Sequence, residues 1–200
     1  MRFTQFATSL CMVFATITAL PAKAIEDQSN RPGPNDFGRI NSNAPGMKWE
    51  QEVVPGISGN LTAIDLFVNA GAPLQQFRVF INEGTGWQTD DDSFTALVTP
   101  TQGLLHIDIT NVEIHLYSGQ SFVIGIEGLG PNTECCNLRI TRDAYALGSL
   151  FLGGLNTIPP LPGADLAFVT YMSPVDDLPS PVALIAGLAL LAARRRASAG

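Results

Sequence analysis

Apolar and polar residues alternate with a period of two along the middle of the chain, in short runs bounded by turn-forming residues. The alternation is clearest in three runs, whose apolar members are Phe77, Val79 and Ile81, then Leu105, Ile107 and Ile109, then Phe122, Ile124 and Ile126. Between Ile25 and Asp177, no stretch keeps a helical apolar period over several turns. Short strands without helices to cover a parallel sheet predict an all-β fold, an antiparallel β-sandwich.

The predicted sandwich spans residues 49–173. Its core should contain the inward members of the alternating runs and their neighbours, namely Ile64, Leu66, Val79, Ile107, Ile124, Leu138 and Phe168. The preceding segment, 25–48, is rich in Asn, Pro, Gly and Ser and predicts a loop-rich lead into the domain.

The first 24 residues stand apart from this pattern. Arg2 supplies a positive start, the run from Phe6 to Leu20 is mostly apolar, and Ala22-Lys23-Ala24 follows it. This order is that of a secretory signal peptide with its helix and its A-x-A cleavage site. The exported chain should therefore begin near Ile25.

The last segment, 174–200, joins a Pro-rich stretch to the uncharged run Val182–Ala193 and an arginine cluster, Arg194, Arg195 and Arg196. The run is shorter than the roughly 20 apolar residues of an ordinary membrane span, but a short transmembrane helix can cross a thin bilayer with its arginines in the cytoplasm. The order resembles the PEP-CTERM sorting signal of Gram-negative bacteria, with Pro179 and Pro181 at the two proline positions and Ser180 at the acidic one. The resemblance implies processing by an exosortase; a plain single-span anchor is the alternative.

The exported part is strongly acidic once the two ends are set aside. The chain has 11 basic and 18 acidic residues, and all the acidic ones lie between Glu26 and Asp177. Five basic residues lie in the end segments, so six remain and the net charge of the exported part is −12. Such a surface argues against binding nucleic acid or anionic lipid, and it favours cations or neutral partners.

The predicted strands also resemble a jelly-roll domain of bacterial surface proteins, similar to galactose-binding-like sandwiches. The segments that carry the resemblance are Leu61–Leu66, Leu105–Ile109, Leu116–Phe122, Tyr145, Gly148–Phe151 and Asp165–Tyr171. What it implies is a fold, because this architecture hosts many functions. Together with the sorting tail, it implies an exported cell-surface or extracellular protein associated with exopolysaccharide.

Cys135 and Cys136 are adjacent and are the only cysteines after the predicted signal peptide. In an oxidising compartment such a pair can close on itself, bond to another chain, or stay free. A structural disulfide clip in the loop before the strand at Leu138 is the preferred interpretation. A redox role is not favoured, because the pair lacks the two-residue spacer of Cys-x-x-Cys motifs.

Two groups of residues are candidates for holding a metal ion. His106 and His115 lie on polar strand faces near Asp108 and Glu113, but solvated side chains are favoured there because no recognised zinc spacing is present. The run Asp90, Asp91 and Asp92 offers oxygen ligands that suit Ca²⁺, although its spacing is not that of an EF-hand. No cofactor is predicted, and calcium at the three aspartates remains the alternative to a solvated loop.

Trp87 is the preferred ligand-binding residue. It lies in a Gly-rich segment beside Asp90, and an exposed aromatic face can stack on a sugar ring. The other aromatic candidates, expected to lie mostly in the core, are Phe94, Tyr117, Tyr145 and Tyr171.

The sequence predicts a non-catalytic protein. It has no Gly-x-Ser-x-Gly elbow, no His-Glu-x-x-His, no P-loop and no Gly-x-Gly-x-x-Gly. The alternative is a secreted glycan-active enzyme, with a carboxylate pair drawn from Asp65, Asp108, Glu113 and Asp165.

Overall fold

The computed structural model describes residues 23–34, 36, 38–42, 48–69, 76–84, 92–129, 135–142, 145–153 and 160–174. Within them the regular structure is all β. The strands are β1 (Ile25–Asn30), β2 (Gly38–Ser42), β3 (Lys48–Val53), β4 (Gly59–Val68), β5 (Phe77–Glu83), β6 (Asp92–Val98), β7 (Gly103–Asp108), β8 (His115–Leu116), β9 (Phe122–Gly128), β10 (Cys135–Thr141), β11 (Leu150–Gly153), β12 (Asp165–Leu166) and β13 (Phe168–Pro174).

These strands form two antiparallel sheets. Sheet A has the order β1-β13-β4-β10-β12, with β2 also paired to β10 and with β7 and β8 both paired to β4. Sheet B has the order β11-β3-β9-β5-β6. The expectation of two antiparallel sheets is thus confirmed, and β5, β7 and β9 are the three runs of clearest alternation.

Apolar side chains from both sheets form one core. Ile64 and Leu66 of sheet A belong to the same cluster as Val79 and Ile124 of sheet B. All seven residues predicted for the core are buried, none more than 5% exposed. The two sheets therefore share their inner faces, as in a β-sandwich.

The segment predicted to be loop-rich contains two strands. β1 pairs with β13 from Ile25 opposite Met172 to Asn30 opposite Phe168, and β2 pairs with β10. Asp27 adds a further attachment because its Oδ1 accepts the backbone N–H groups of Gly56 and Ile57, both at 2.9 Å. The sheets begin well before residue 49, so the expected start of the sandwich was wrong.

Polar side chains also tie the two sheets together inside the fold. Gln51 of sheet B accepts the backbone N–H of Leu166 in sheet A at 2.7 Å. The Asp165 carboxylate accepts the backbone N–H of Tyr145 at 3.0 Å, and the Asn30 amide donates to the Thr141 hydroxyl at 2.8 Å. The bond between Gln51 and Leu166 joins the two sheets, whereas the bond between Asn30 and Thr141 lies within sheet A and that between Asp165 and Tyr145 holds a connecting segment on sheet A. Because these groups are buried, their hydrogen bonds fix the positions of their partners.

On the outer face of sheet B, an aromatic ring packs directly against a glycine of the neighbouring strand. The Phe80 ring is fully buried, and it lies so near Gly125 on the neighbouring strand that a Cβ added there would stand 2.0 Å from two ring carbons. The Lys48 ammonium lies 5.3 Å from the ring centroid and the Arg78 guanidinium 5.1 Å from it. Arg78 also pairs with Glu127. Gly125 is thus required by the ring above it, which is in turn held by two cations.

Candidate functional site

A cleft of about 500 Å³ opens at one end of sheet A. It lies where β4 begins, where β13 ends, and where the turn between β7 and β8 approaches them. Six of the nine residues that line it carry a hydroxyl, amide or carboxylate group, namely Asn60, Thr62, Thr110, Asn111, Glu113 and Ser173, and the other three are Ala24, Leu61 and Val112. Such a lining offers both hydrogen-bond donors and acceptors to a ligand.

The turn that supplies one wall of the cleft is held by Asp108. Its Oδ1 accepts the Thr110 hydroxyl at 2.6 Å and the Thr110 backbone N–H at 2.8 Å. These hydrogen bonds, that from the hydroxyl first, lower the pKa of Asp108 below its usual range. The turn is tied to β4 by the bond from the Ile109 N–H to the Thr62 carbonyl at 2.8 Å.

An aromatic pair stands beside Asn60. His115 lies opposite Asn60 on β8, and its Nδ1 donates to the Asn60 amide oxygen at 3.2 Å. Tyr117 packs edge-on against His115 with 4.7 Å between the ring centroids. Tyr117 is 54% exposed, so an accessible aromatic ring stands beside His115, which contacts the cleft residue Asn60, although neither ring lines the cleft itself.

Asp65, His106 and Tyr171 form a second cluster farther along the outer face of sheet A. His106 lies opposite Asp65, and its Nδ1 is 2.6 Å from the Asp65 Oδ1. The Tyr171 hydroxyl donates to Oδ2 of the same carboxylate at 2.7 Å, and this hydrogen bond raises the pKa of Tyr171. Asp65 is 2% exposed. Its two oxygens are therefore engaged and covered, whereas the His106 side chain is 58% exposed.

The two histidines contact different residues of β4 and do not face a common site. β7 and β8 both pair with β4, where His106 faces Asp65 and His115 faces Asn60 five residues earlier. Among the described residues, no group of three or more His, Cys, Asp or Glu side chains is placed to hold a metal ion.

The four carboxylates considered for catalysis have different surroundings. Asp165 is 2% exposed, and its carboxylate is hydrogen-bonded inside the fold. Asp65 is buried beneath His106 and Tyr171, and Asp108 caps its own turn. Only Glu113 both is exposed and lines the cleft.

The aromatic candidates divide between core and surface. Tyr145 is buried, and its hydroxyl accepts the Val54 backbone N–H at 3.0 Å; burial raises its pKa to about 12. Phe94 is partly buried against the core. Tyr117 is exposed, so the expectation that Trp87 alone among these rings would be accessible missed a second candidate.

The cysteines lie in a strand and not in the predicted loop. β10 begins at Cys135, and Cys136 is fully buried and disulfide-bonded. Cys136 and Asn137 have positive φ angles of 81° and 40°, at the point where the pairing with β2 shifts register. The side chain of Cys135 lies outside the described part of the structure, and the pairing of Cys135 with Cys136 stays a prediction.

Several predicted sites fall on residues that the structure does not describe. Trp87, Asp90 and Asp91 lie outside the described residues, and of Asp92 only the backbone, at the start of β6, is described. The same holds for the sorting positions, Pro179, Pro181, Arg194, Arg195 and Arg196. The ligand, calcium and sorting assignments for them stay predictions.

Apart from Glu113, the residues that line the cleft were not identified as site residues from the sequence. Asn60 and Thr62 stand on a strand, and Ser173 lies more than a hundred positions later, so only the pairing of β4 with β13 brings them together. One local signal was present. Asp108-Ile109-Thr110 is the spacing of an aspartate that caps its own turn, and it marks the turn that walls the cleft.

No protein-family model matches the chain, and no curated protein is significantly similar to it. Within the described residues, none of the regular structure is a helix long and apolar enough to cross a membrane.

Proposed function

We propose that this chain is an exported, non-catalytic protein of the cell surface or extracellular matrix that binds exopolysaccharide in the cleft beside Asn60. The observation that carries the proposal is the combination of that cleft with the exposed ring of Tyr117. Amides, hydroxyls and one carboxylate match the hydroxyl groups of a sugar, and an aromatic face covers the apolar side of its ring.

Charge favours a neutral glycan. The exported part carries a net charge of −12, and Glu113 is the one ionisable residue among those that line the cleft. An acidic polymer would be repelled by both. The proposed fold is a jelly roll, an architecture that supports binding sites on its outer faces.

The proposed route to the surface uses the two ends of the chain. The leader directs export, and an exosortase cuts near Pro179–Pro181 after the short apolar helix has held the precursor in the inner membrane. Intact-mass measurement of the protein recovered both from the medium and from the cell envelope checks this step. A C-terminus near Pro181 is expected, and a chain still ending at Gly200 would favour a permanent anchor.

The binding proposal is tested by titrating the protein with neutral oligosaccharides of glucose, galactose and N-acetylglucosamine in a calorimeter. Tyr117→Ala should weaken binding about tenfold or more because it removes the exposed stacking surface. Its thermal stability should change little, since the ring is mostly exposed. Leu147→Ala is the matched control for the loss of an exposed apolar side chain, because Leu147 is 55% exposed and lies in the connection between β10 and β11.

Trp87→Ala is the informative comparison. If that variant loses binding while Tyr117→Ala binds normally, the site is at Trp87 and the cleft proposal is wrong. Release of shortened oligosaccharides during the titration would instead support the alternative, a glycan-active enzyme.

A further inference from the structure

Ala24 lines the cleft although it belongs to the predicted signal peptide. The next residue, Ile25, begins β1 and lies opposite Met172 of β13, so Ala24 falls beside Ser173, which also lines the cleft. Ser173 in turn lies opposite Asn60, and Asn60 opposite His115. The bond between Ala24 and Ile25 is therefore held at the edge of the cleft by strand pairing.

The predicted export cut breaks this bond. Hydrolysis consumes one water: the amide C–N bond breaks, the Ala24 carboxylate leaves with the leader, and the nitrogen stays on Ile25 as an α-amine. An α-amine has a pKa of about 8, so it is mostly protonated at neutral pH. The cut thus replaces an alanine in the wall with an ammonium group.

We propose that export processing completes the binding site, with the α-ammonium of Ile25 as a ligand-binding group. It donates hydrogen bonds to sugar hydroxyls from the β1 side, while Glu113 accepts them from the β7 side. β13 and β4 lie between these two groups, which therefore flank the cleft. In the precursor, Lys23 and Ala24 are still attached, so the nitrogen of Ile25 is an uncharged amide and the cleft lacks the ammonium group. This inference rests on the proposed function, glycan binding in the cleft.

The test compares three forms of one protein that all end at Gly200 and are kept in mild detergent. The first begins at Ile25, the second begins at Lys23, and the third begins at Ile25 with its α-amine acetylated. Each is titrated at pH 7 with the same neutral oligosaccharides. The free Ile25 form should bind about tenfold more tightly than either of the others, the effect of one charge-assisted hydrogen bond. Its advantage should disappear at pH 9, above the pKa of an α-amine at about 8.

A second readout does not depend on any glycan. The backbone amide signals of Met172 and Ser173 should titrate near pH 8 in the free Ile25 form and not in the acetylated form. Equal affinities in all three forms would overturn the role of the amine while leaving glycan binding intact. If no form binds a glycan yet the two amides titrate, the glycan function is wrong and the amine still lies at the cleft. Amides that do not titrate would show that the amine is elsewhere.

Discussion

The carboxylates on the strands of sheet A differ in burial according to the partners that the folded chain brings to them. Asp108 stands at the exposed end of β7. Asp165 is buried, because the Tyr145 backbone N–H and the buried face of sheet A provide partners that only the folded chain brings together. Asp65 does point outward but is covered by His106 and Tyr171, which come from two other strands. Partners distant in sequence decide these burial states.

The Asp27 carboxyl makes a contribution to folding stability that depends on pH. Burial raises its pKa above the ordinary value of 3.8, although hydrogen bonds from Ile57, Gly56 and Gln28 oppose the shift. The folded protein therefore binds the proton more tightly than the unfolded chain does. Its contribution to stability is present below the ordinary pKa and is lost as pH rises through the raised value.

Asp27→Asn should remove this dependence, because an amide oxygen can still accept both backbone N–H groups and never ionises. We expect the melting temperature of the wild type, relative to that of the variant, to fall as the pH rises from about 3 to 6. Other carboxylates contribute equally to both proteins and cancel. A difference that is constant with pH, or that rises, would contradict the raised pKa.

The strands fall into two groups, those that a local sequence pattern predicts and those that it does not. β7 has one apolar and one polar face, and in β5 and β9 the apolar inward residues alternate with Arg78, Asn82 and Glu127, so period-two alternation predicts all three strands. β1, Ile25–Asn30, has no such alternation and forms because β13 offers it an edge some 140 residues later in the chain. β4 is long, but its alternation is interrupted near Thr62 by a shift of register against β13. Pairing between distant segments carries no local pattern.

The close contact between Gly125 and the Phe80 ring on neighbouring strands can be tested by substitution. Gly125→Ala places a methyl group where the Phe80 ring lies, so the ring must move away from Lys48 and Arg78. We expect a loss of about 1–3 kcal/mol in the free energy of unfolding, measured by urea denaturation.

A double-mutant cycle with Phe80→Leu identifies the cause. If the ring is responsible, Gly125→Ala should cost less in the Phe80→Leu background by about 0.5 kcal/mol or more. An unchanged cost in both backgrounds would mean that the glycine is required for its backbone and not for the ring.

At the scale of the whole molecule, the outer face of sheet A differs from that of sheet B. On sheet B the outward residues Glu50, Phe80 and Val123 are fully buried. On sheet A, His106 and Tyr117 are accessible, and the polar cleft opens between strand ends. The all-β fold of two antiparallel sheets was predictable from alternation, but the position of the cleft was not, because it is formed by the ends of strands far apart in the chain.

Glycan binding at this end of sheet A, as proposed above, can be tested by mapping amide chemical shifts. The protein labelled with ¹⁵N is titrated with neutral oligosaccharides of glucose, galactose and N-acetylglucosamine. We expect saturable shifts confined to Asn60, Thr62, Thr110 to Glu113, Tyr117 and Ser173, with little change in sheet B. Shifts centred on the Trp87 segment, or none with any of these sugars, would contradict it.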